Sequence, residues 1–420
     1  MAKIFPFCGL RYNQDKVKNI DKVFSPPYDI ISEQEQKAFY KQHPCNVVRL
    51  VLGKTSFKDN PRNNRYLRAA GFLNEWIKER TLLFDAKPCI YLYIQEYKVE
   101  GEKKRRLGFI ARMRLDNKDR CLPHEHTLVK PKEDRMLLMR STAANLSPIF
   151  SFFLDAKKET KRILSPFFKS RPLLDIKDKD KVRHCFWKIE DEKTQGKIAK
   201  LMKSKQVFIA DGHHRYEVAL AYRDEMLALG GKSGKFNYIM IYFTPFSEDS
   251  LTVLPTHRMV KAVGTVADKI KRLERYFKIV PVKTLPGLLK LQNRQTVFSL
   301  GMFYKNKFWL LKIKNTRLLA YLMRKAPKHW RKLDVAVLNN IIFGHIFKFT
   351  AAQREDNVGY TRNPRFAAAC VKRGEFAAAF FLNPTKAGQV KKIALSRKRM
   401  PQKSTYFYPK PLTGLVINKF

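Results

Sequence analysis

Apolar positions along the chain recur with two different spacings, which change from one segment to the next. A recurrence of roughly 3.6 residues is typical of a helix, and an alternation of apolar and polar residues is typical of a strand. The helical spacing occurs at about residues 33–42, 65–80, 135–144, 192–204, 266–276 and 333–349. Alternating or continuously apolar runs occur at 89–99, 106–115, 207–210, 236–246, 296–304, 308–313 and 414–417. Together these patterns predict a mixed α+β protein.

The patterns also predict two regions in the chain. At roughly 100–200 residues per domain, 420 residues are enough for two or three domains. In the first region, the runs 89–99 and 106–115 flank a charged Gly-Glu-Lys-Lys turn, which predicts a β-hairpin. After Val263 the pattern restarts with a new helix. We therefore expect an N-terminal and central α+β region at 1–262 and a C-terminal α+β domain at 263–420.

The stretch Asp-Gly-His-His-Arg at 211–215 stands between the apolar run 207–210 and a helical pattern. It predicts a strand, a tight turn at Gly212 and a helix from about Arg215 onward. Glycine permits a turn whose backbone lies close to a ligand. The first N–H groups of the helix then point into the same space, at the positive end of the helix dipole. That arrangement is a ready site for an anion.

The side chains of this stretch favour phosphate as the anion. His213, His214 and Arg215 add donors at the turn. A bare phosphate would repel Asp211, so the acid is explained if it holds a magnesium ion or orients a histidine. In a plainer interpretation, Asp211 caps the helix, Gly212 only makes the turn and the histidines are solvated.

A second polar cluster, His124-Glu125-His126, is followed by a basic segment. On an extended chain the two histidines point to one face and Glu125 to the other. Histidines at this spacing could bind zinc, and together with Asp211, His213 and His214 they could form a metal-hydrolase site. Alternatively, Glu125 serves as a general base while nearby cations neutralise phosphate. The cations are Lys130, Lys132, Arg135 and Arg140.

Charge is the most unusual feature of the composition. The chain has 84 Lys and Arg residues against 37 Asp and Glu residues, a formal net charge of +47. Such a balance favours phosphate-rich partners, so nucleic acid is a possible partner. The excess is spread over the whole chain instead of forming one tail, which fits a solvated basic surface better than a dedicated nucleic-acid site.

Cysteine usage and hydropathy indicate the compartment. The six cysteines are widely scattered with no Cys-X-X-Cys pair, which argues against a disulfide framework or a zinc ribbon and suits a reducing environment. No apolar run approaches the roughly 18 residues of a membrane span, and the N-terminus lacks a secretory signal. We therefore expect a soluble, cytoplasmic protein with no membrane partner.

Several long segments resemble a widespread bacterial and archaeal family known as a domain of unknown function. The matching segments are SPPYDIIS (25–32), NVVRL (46–50), HEHTLVKPKEDR (124–135), ANLSPIF (144–150), ADGHHRYEVAL (210–220) and MPQKSTYFYPKPLTGLVI (400–417). They run from the N-terminus to the last residues, so the resemblance covers essentially the whole chain. The chain departs from the family in its lysine- and arginine-rich loops and at 344–364.

The Asp-Gly-His-His-Arg motif is similar to the phosphate loop of the ParB/sulfiredoxin superfold, which includes ATP-dependent free serine kinases. The resemblance implies a ParB/sulfiredoxin-like core that carries the strand–turn–helix, with an additional α+β region at the C-terminus. It also implies an ATP- and Mg²⁺-dependent kinase of a small hydroxyl-bearing metabolite. Free L-serine is the expected acceptor and O-phosphoserine the expected product.

The resemblance suggests a role for each candidate residue. Gly212, His213, His214 and Arg215 would bind nucleotide phosphates, and Asp211 would hold the metal or align the loop. Glu125 would take the proton from the acceptor hydroxyl. Further contacts to phosphate or to the acceptor are expected from Lys132, Arg135, Arg140, Asn145, His124, His126, Lys403, Ser404 and Thr405.

Two other functions fit parts of the sequence. A ParB-like nucleotide-hydrolysing or nucleic-acid-binding regulator would use the same motif and the positive charge, although no convincing helix-turn-helix domain follows the motif. A metal-dependent hydrolase would use the two histidine clusters.

Overall fold

A computed structural model gives the fold of the chain. It describes residues 2–115, 121–127, 129–231, 234–247, 251–262, 266–295, 298–324, 326–327, 330–331, 333–401 and 403–420. The strands are β1 (Ile4–Phe5), β2 (Leu10–Tyr12), β3 (Leu82–Phe84), β4 (Ile90–Val99), β5 (Glu102–Arg114), β6 (Cys121–Leu122), β7 (Ala144–Asn145), β8 (Ile149–Phe153), β9 (Leu174–Lys177), β10 (Arg183–Ile189), β11 (Val207–Asp211), β12 (Tyr238–Pro245), β13 (Thr252–Leu254), β14 (His257–Val260), β15 (Phe277–Val282), β16 (Ser299–Tyr304), β17 (Lys307–Ile313), β18 (Val358–Thr361), β19 (Ala378–Phe381), β20 (Tyr406–Tyr408) and β21 (Asn418–Lys419).

Helices alternate with these strands along the chain, so the predicted mixed α+β class is confirmed. The α-helices are α1 (Glu33–Gln42), α2 (Val48–Val51), α3 (Arg65–Lys78), α4 (Val129–Thr142), α5 (Glu159–Leu164), α6 (Glu192–Lys203), α7 (His213–Ala228), α8 (Val266–Lys271), α9 (Leu285–Asn293), α10 (Thr316–Leu322), α11 (Asp334–Val337), α12 (Ala351–Asn357), α13 (Pro364–Lys372) and α14 (Ala387–Leu395). Short 3-10 helices lie at 20–22, 28–30, 165–169, 235–237 and 272–275, and a π-helix at 338–346 continues α11.

The chain forms two compact units, each built from separate segments of sequence. The first unit comprises Met1–Pro123, Thr127–Leu251 and Pro409–Phe420. The second unit comprises His124–His126 and Thr252–Tyr408. This division differs from the predicted one, which placed a single boundary after residue 262. Residues 263–265, directly after that boundary, lie outside the described residues. Apolar periodicity reports on neighbours in sequence, so it could not indicate that a short segment and the C-terminal tail change units.

The main sheet of the first unit has the strand order β6-β11-β8-β12-β5-β4-β10-β9, with β1 also paired to β5. β4 and β5 form the predicted antiparallel hairpin, in which Val99 lies opposite Glu102. β11 is parallel to β6 on one side and antiparallel to β8 on the other. Because β11 is paired on both sides and all five of its residues are buried, the strand that leads to Asp211 has a fixed position in the sheet.

Helix α7 packs its apolar side into the core of the first unit. Val218 and Tyr222 of α7 share this core with Ile209 of β11 and Ile241 of β12, and all four side chains are buried. Phe420 at the end of the chain packs against the same cluster, with its ring stacked on Tyr222 at a centroid distance of 5.9 Å. The core therefore holds the N-terminal end of α7 in place directly after β11.

The second unit has an antiparallel sheet with the order β15-β17-β16-β19-β14-β18. Its core includes Leu288 of α9, Phe303 of β16 and Phe381 of β19, which are fully buried. The strand predicted at 296–304 begins at Ser299, and residues 296–297 lie outside the described residues. The strand predicted at 308–313 is present as β17.

Two predicted element boundaries differ from the structure because of a residue with positive φ. The helix predicted at 135–144 is α4, which ends at Thr142 because Ala143 has a φ of 44°. The strand predicted at 414–417 is wrong. Gly414 has a φ of 97°, and the strand that follows is β21, whose Asn418 pairs with Asn145 of β7.

Within the described part of the chain, no single helix has both the length and the apolar character needed to cross a membrane. The helices Asp334–Ile346 and Ala351–Asn357, bent by 107° to one another, meet that test of length and composition only as a pair.

Candidate functional site

The predicted strand–turn–helix is present in the first unit as β11, Gly212 and α7. Gly212 has a φ of 94°, and a Cβ atom there would lie 3.0 Å from Arg215 Nη2 and 3.1 Å from Ile149 Cδ1. The dihedral angle therefore favours glycine strongly, and a Cβ atom would also be crowded by these two side chains. The helix begins at His213, two residues earlier than predicted, because Gly212 itself is the N-cap residue.

Gly212 is the N-cap residue of α7 and makes no side-chain cap, so the interpretation of Asp211 as the helix cap is wrong. The first N–H groups of a helix have no carbonyl partner within the helix, and the helix dipole is positive at this end. His213 occupies the first helical position and is buried, whereas His214, next to it, is half-buried. The helix start is thus a polar, positive end that follows a buried strand.

A β-bulge precedes the turn. Ile209 lies opposite Ser151 and Asp211 opposite Phe150, so Ala210 is an extra residue in β11 relative to β8. Bulges redirect side chains and are common beside active sites. Here the bulge lies directly before Asp211, at the point where the strand ends.

Asp211 is buried between two cations. Its Oδ1 accepts a hydrogen bond from Lys410 Nζ, and its Oδ2 accepts one from Arg215 Nη2 at 2.9 Å. The side chains of Asp211, Lys410 and Arg215 are 11%, 6% and 11% exposed. Burial alone would raise the pKa of Asp211, but the charges of Lys410 and Arg215 outweigh it and hold the pKa well below its usual value. The carboxyl group is therefore ionised at neutral pH.

This arrangement gives the carboxylate of Asp211 two cationic partners, and its role of orienting a histidine stays a prediction. The carboxylate holds Arg215, whose Nη1 also donates to the carbonyl oxygen of Pro148 at 2.6 Å. Both carboxylate oxygens already accept hydrogen bonds from cations, so Asp211 does not fit a magnesium ion in this conformation. The magnesium role of Asp211 stays a prediction, and it would require Lys410 or Arg215 to move away.

Three predicted site residues, Arg135, Asn145 and Arg215, line one cavity of about 40 Å³ in the first unit. The guanidinium carbon of Arg135 lies 3.8 Å from the centroid of the Tyr28 ring, which also lines the cavity. Arg135 Nε donates to Asp134 at 2.7 Å, and Arg135 Nη1 donates to the Val51 carbonyl at 2.8 Å. The two guanidinium groups are thus held in place by acids and carbonyl groups of the protein.

Two other predicted cations on α4, Lys132 and Arg140, contact acidic residues in different turns of α7. Lys132 Nζ is 3.5 Å from Glu217 Oε2, near the start of α7. Arg140 donates to Glu225 at 2.7, 3.0 and 3.2 Å. Glu225 is 12 residues beyond His213, which corresponds to about 18 Å along a helix. Arg140 thus contacts α7 far from its first turn, and its contact with phosphate stays a prediction.

The remaining candidate residues come together in the second unit. His124 Nε2 hydrogen-bonds Thr405 Oγ1 at 2.9 Å, and the N–H of Lys403 donates to Glu125 Oε1 at 2.9 Å. The carbonyl oxygen of Ser404 accepts from Thr385 Oγ1 at 3.1 Å, so Ser404 is a buried connector. His124 is buried and His126 is exposed, so the two histidines do not share one environment as the extended pattern predicted.

Arg258 is a charged residue of this cluster that the sequence patterns did not indicate. Its side chain is fully buried, and its Nη2 donates to the carbonyl oxygen of Lys403 at 2.8 Å. Burial lowers the pKa of Arg258 to about 10, against the opposing effects of Tyr360 and Glu125. Glu125 is thus the carboxylate that faces a buried arginine, a relation between residues far apart in sequence.

Lys410 is the second residue that the patterns missed. It lies in the segment YFYPKPLTG (406–414), where a lysine stands among aromatic residues and prolines. That context was a signal, because an isolated cation in an apolar segment is buried with a partner or is exposed on a loop. The partner, Asp211, is 199 residues away. Among the described residues, no group of three or more His, Cys, Asp or Glu side chains is placed to hold a metal ion.

Comparison with solved structures finds distant likenesses. A conserved hypothetical protein from Pyrococcus furiosus is 13% identical, with 74% of this chain and 94% of that chain covered and a TM-score of 0.38. A free serine kinase in complex with AMP is 12% identical, with 71% and 86% covered and a TM-score of 0.38. SbnI with C-terminal truncation from Staphylococcus aureus is 10% identical, with 74% and 87% covered and a TM-score of 0.37. Likeness at this level carries no argument about activity.

No curated protein matches the chain. One family model matches, over residues 4–336, and it therefore covers more than half of the chain. The matched range contains the turn at Gly212 and the cluster of Asp211, Arg215 and Arg135. The chain belongs to the family described as protein of unknown function (DUF1015).

Proposed function

We propose that the chain is an ATP-dependent phosphotransferase that acts on a small hydroxyl-bearing metabolite, with free L-serine as the first acceptor to test. The proposal is carried by one observation: Arg215 and Lys410 converge on the buried carboxylate of Asp211 at the start of α7. Phosphoryl transfer asks a protein mainly to position groups and to neutralise charge. Two cations and the positive end of a helix supply both.

In this proposal the turn at Gly212 and the first N–H groups of α7 bind nucleotide phosphates. Asp211 keeps Arg215 and Lys410 in place for the phosphates, because its ionised carboxylate holds both cations. Mg²⁺ usually binds through substrate phosphates with one or two carboxylates, so it would arrive with the nucleotide. The role of Glu125 as a general base stays a prediction that its own variant tests.

The direct test is an assay of nucleotide turnover. Purified protein is incubated with Mg²⁺, with ATP, ADP or CTP as donor, and with pools of hydroxyl-bearing metabolites that include L-serine. The proposal expects ATP to be converted to ADP only when one acceptor is present, with a phosphorylated acceptor seen by mass spectrometry. ADP formed without an acceptor would instead indicate a ParB-like nucleotidase, and no turnover with any donor would contradict the proposal.

A matched pair of arginine variants tests the site. Arg215→Ala is expected to lower kcat by about 10²–10³-fold, since it removes a group that stabilises developing charge. Arg140→Ala removes an arginine from a neighbouring helix, but its salt bridge with Glu225 is exposed. Exposed ion pairs contribute about 0–1 kcal/mol, so we expect this variant to keep wild-type turnover and stability. Equal losses in both variants would contradict the placement of the site.

The positive charge motivates one further measurement. If turnover is absent, binding of duplex DNA and of single-stranded RNA is measured between low and physiological salt. A steep fall of affinity with salt would support the nucleic-acid alternative, since phosphate contacts release counterions.

A further inference from the structure

Asn145, which lines the cavity together with Arg135 and Arg215, has a buried donor without an acceptor. Asn145 is 3% exposed, and its Nδ2 has no hydrogen-bond partner among the described residues. Its Oδ1 accepts from the N–H of Met240 at 3.1 Å and from Asn418 Nδ2 at 2.9 Å. These two donors fix which end of the carboxamide is the oxygen. The unpaired atom is therefore an N–H donor, and a buried donor left unpaired is costly.

Most of the polar side chains that line the cavity offer N–H or O–H donors, although the hydroxyl of Ser147, which is hydrogen-bonded to Thr413 Oγ1 at 3.0 Å, can also accept. A guanidinium has five N–H donors. The hydrogen bonds that Arg135 makes to Asp134 and Val51 use three of them, through Nε, Nη2 and Nη1. Arg215 uses two, on Asp211 and the Pro148 carbonyl. Both side chains thus keep N–H groups beyond these bonds.

Tyr28 adds a hydroxyl group to the same wall. Burial raises its pKa to about 12, although Arg135 and Arg215 act in the opposite direction. The hydroxyl is therefore protonated at neutral pH and can donate. Within the described part of the chain, no acidic side chain lines this cavity. Apart from Ser147, its other walls are apolar, with Val51, Leu138, Met139, Ala144, Leu146, Val218 and Ile239.

Size and charge limit the ligand. A cavity needs roughly 10–15 Å³ to hold one water molecule, so about 40 Å³ admits a small anionic group and excludes a nucleotide base. Two guanidinium groups match the planar, two-oxygen geometry of a carboxylate and also match phosphate oxygens. Apolar walls around the donors exclude water and strengthen such bonds.

We propose that this cavity is a subsite for a small oxyanion, which the carboxamide of Asn145 and the guanidinium groups of Arg135 and Arg215 bind. The identity of the oxyanion rests on the proposed kinase function. In that kinase the oxyanion is the carboxylate of the acceptor or the phosphoryl group that is transferred. An acceptor bound here would be a hydroxy acid. The subsite itself requires only the cavity and its donors.

The test replaces Asn145 by aspartate, which has the same shape. Asn145→Asp keeps an oxygen for Met240 and Asn418 and replaces the unpaired donor by a negative oxygen, in a residue that lines the same cavity as the two arginines. Exposed Asn19 in the same unit provides the matched control, Asn19→Asp, with the same change of charge. Binding of L-alanine, acetate and inorganic phosphate is measured by isothermal titration calorimetry at constant ionic strength, without nucleotide.

The proposal expects wild type and Asn19→Asp to bind at least one probe. Asn145→Asp is expected to bind that probe with an affinity reduced by about tenfold or more. A melting temperature of Asn145→Asp at or above that of wild type shows that the fold is intact. Tyr28→Phe keeps the ring beneath Arg135 and is expected to lower the affinity for the same probe several-fold. This variant replaces Asn145→Asp as the test if Asn145→Asp does not fold. A preference for L-alanine and acetate identifies a carboxylate, and a preference for phosphate identifies a phosphoryl group.

Two results would overturn the subsite: no probe binds wild type, or the Asn145 and Tyr28 variants bind as wild type does. These results are independent of turnover. Oxyanion binding that depends on Asn145, in a protein that forms no ADP with any acceptor, would keep the subsite and refute the kinase. Acceptor-dependent ADP formation unaffected in Asn145→Asp would keep the kinase and refute the assignment of the subsite to the acceptor carboxylate or the transferred phosphoryl group.

Discussion

Replacing Asp211 by asparagine is expected to destabilise the first unit by about 3–5 kcal/mol at neutral pH, the usual cost of breaking a buried ion pair by removing one partner. Asparagine has the same volume, so the change creates no cavity. Its oxygen can accept from one cation, but its NH₂ group then faces the other. Lys410 and Arg215, whose side chains are 6% and 11% exposed, would lose the charge that compensates them.

The same cluster predicts how the effect depends on pH. Burial would raise the pKa of Asp211, but Lys410 and Arg215 outweigh it and lower the folded-state pKa well below the ordinary value. Such a group contributes stability above its unfolded pKa, about 3.9, and the contribution is lost as the pH falls through the folded pKa. The difference between wild type and Asp211→Asn is therefore expected to be constant from about pH 7 to pH 5 and to shrink below about pH 4.

The assay is urea unfolding followed by tryptophan fluorescence in a background with Trp309→Phe and Trp330→Phe. The remaining tryptophans, Trp76 and Trp187, belong to the first unit and report its unfolding. Unfolding of two units need not be one transition, so a probe confined to one unit is required.

Two control variants separate the buried pair from a general effect of charge. Asp175→Asn removes the partner of Arg183 in the same unit, where the side chains are 39% and 44% exposed. It should cost no more than about 1 kcal/mol. Asp211→Asn combined with Lys410→Met should be more stable than Asp211→Asn alone, because no unpaired lysine remains. A loss below about 0.5 kcal/mol in Asp211→Asn, or strict additivity in the double variant, would refute the reasoning.

The remaining predictions concern the second unit. Glu125→Gln keeps the acceptor for the Lys403 N–H but removes the predicted base and the negative charge that acts on Arg258. We therefore expect turnover to fall by about 10²–10⁴-fold and the free energy of unfolding to fall by about 1 kcal/mol. Full turnover would show that Glu125 is not the base. Burial raises the pKa of Asp334 to about 6, although it accepts from the Asn383 N–H at 2.9 Å. A raised folded pKa gives stability below the unfolded pKa that is lost as the pH rises through about 6. Asp334→Asn should therefore gain about 1–2 kcal/mol relative to wild type between pH 5 and pH 8, measured by urea unfolding, and a gap that narrows with rising pH would contradict this.

Local features of the sequence were sufficient to predict the elements around the candidate site. The apolar run 207–210, the glycine at 212 and the helical pattern after it predict a strand, a turn and a helix, and β11 and α7 are present within two residues. The hairpin of β4 and β5 was predicted for the same reason. These features depend on the steric freedom of one residue and on the period of side chains within one element, and both can be read along the chain.

The partners of the site residues could not be read in that way. Arg135 and Arg140 both lie on α4, yet Arg135 lines a cavity with Arg215 while Arg140 binds Glu225. Helical spacing does not say which turn of a neighbouring helix a side chain will meet. That depends on the crossing of α4 and α7, which the packing of the core sets.

The sequence by itself thus determined the α+β class, the family, the glycine turn and the polar residues that follow it. Only the tertiary structure decided that Asp211 binds Lys410, 199 residues away, and that His124 binds Thr405, 281 residues away. It also decided that Asn145 lines the cavity of Arg135 and Arg215 with an unpaired donor. The physical reason is that burying a charge or a donor has a cost that only a partner can offset, and a folded chain selects the partner from whatever its packing brings within hydrogen-bond distance, regardless of separation in sequence.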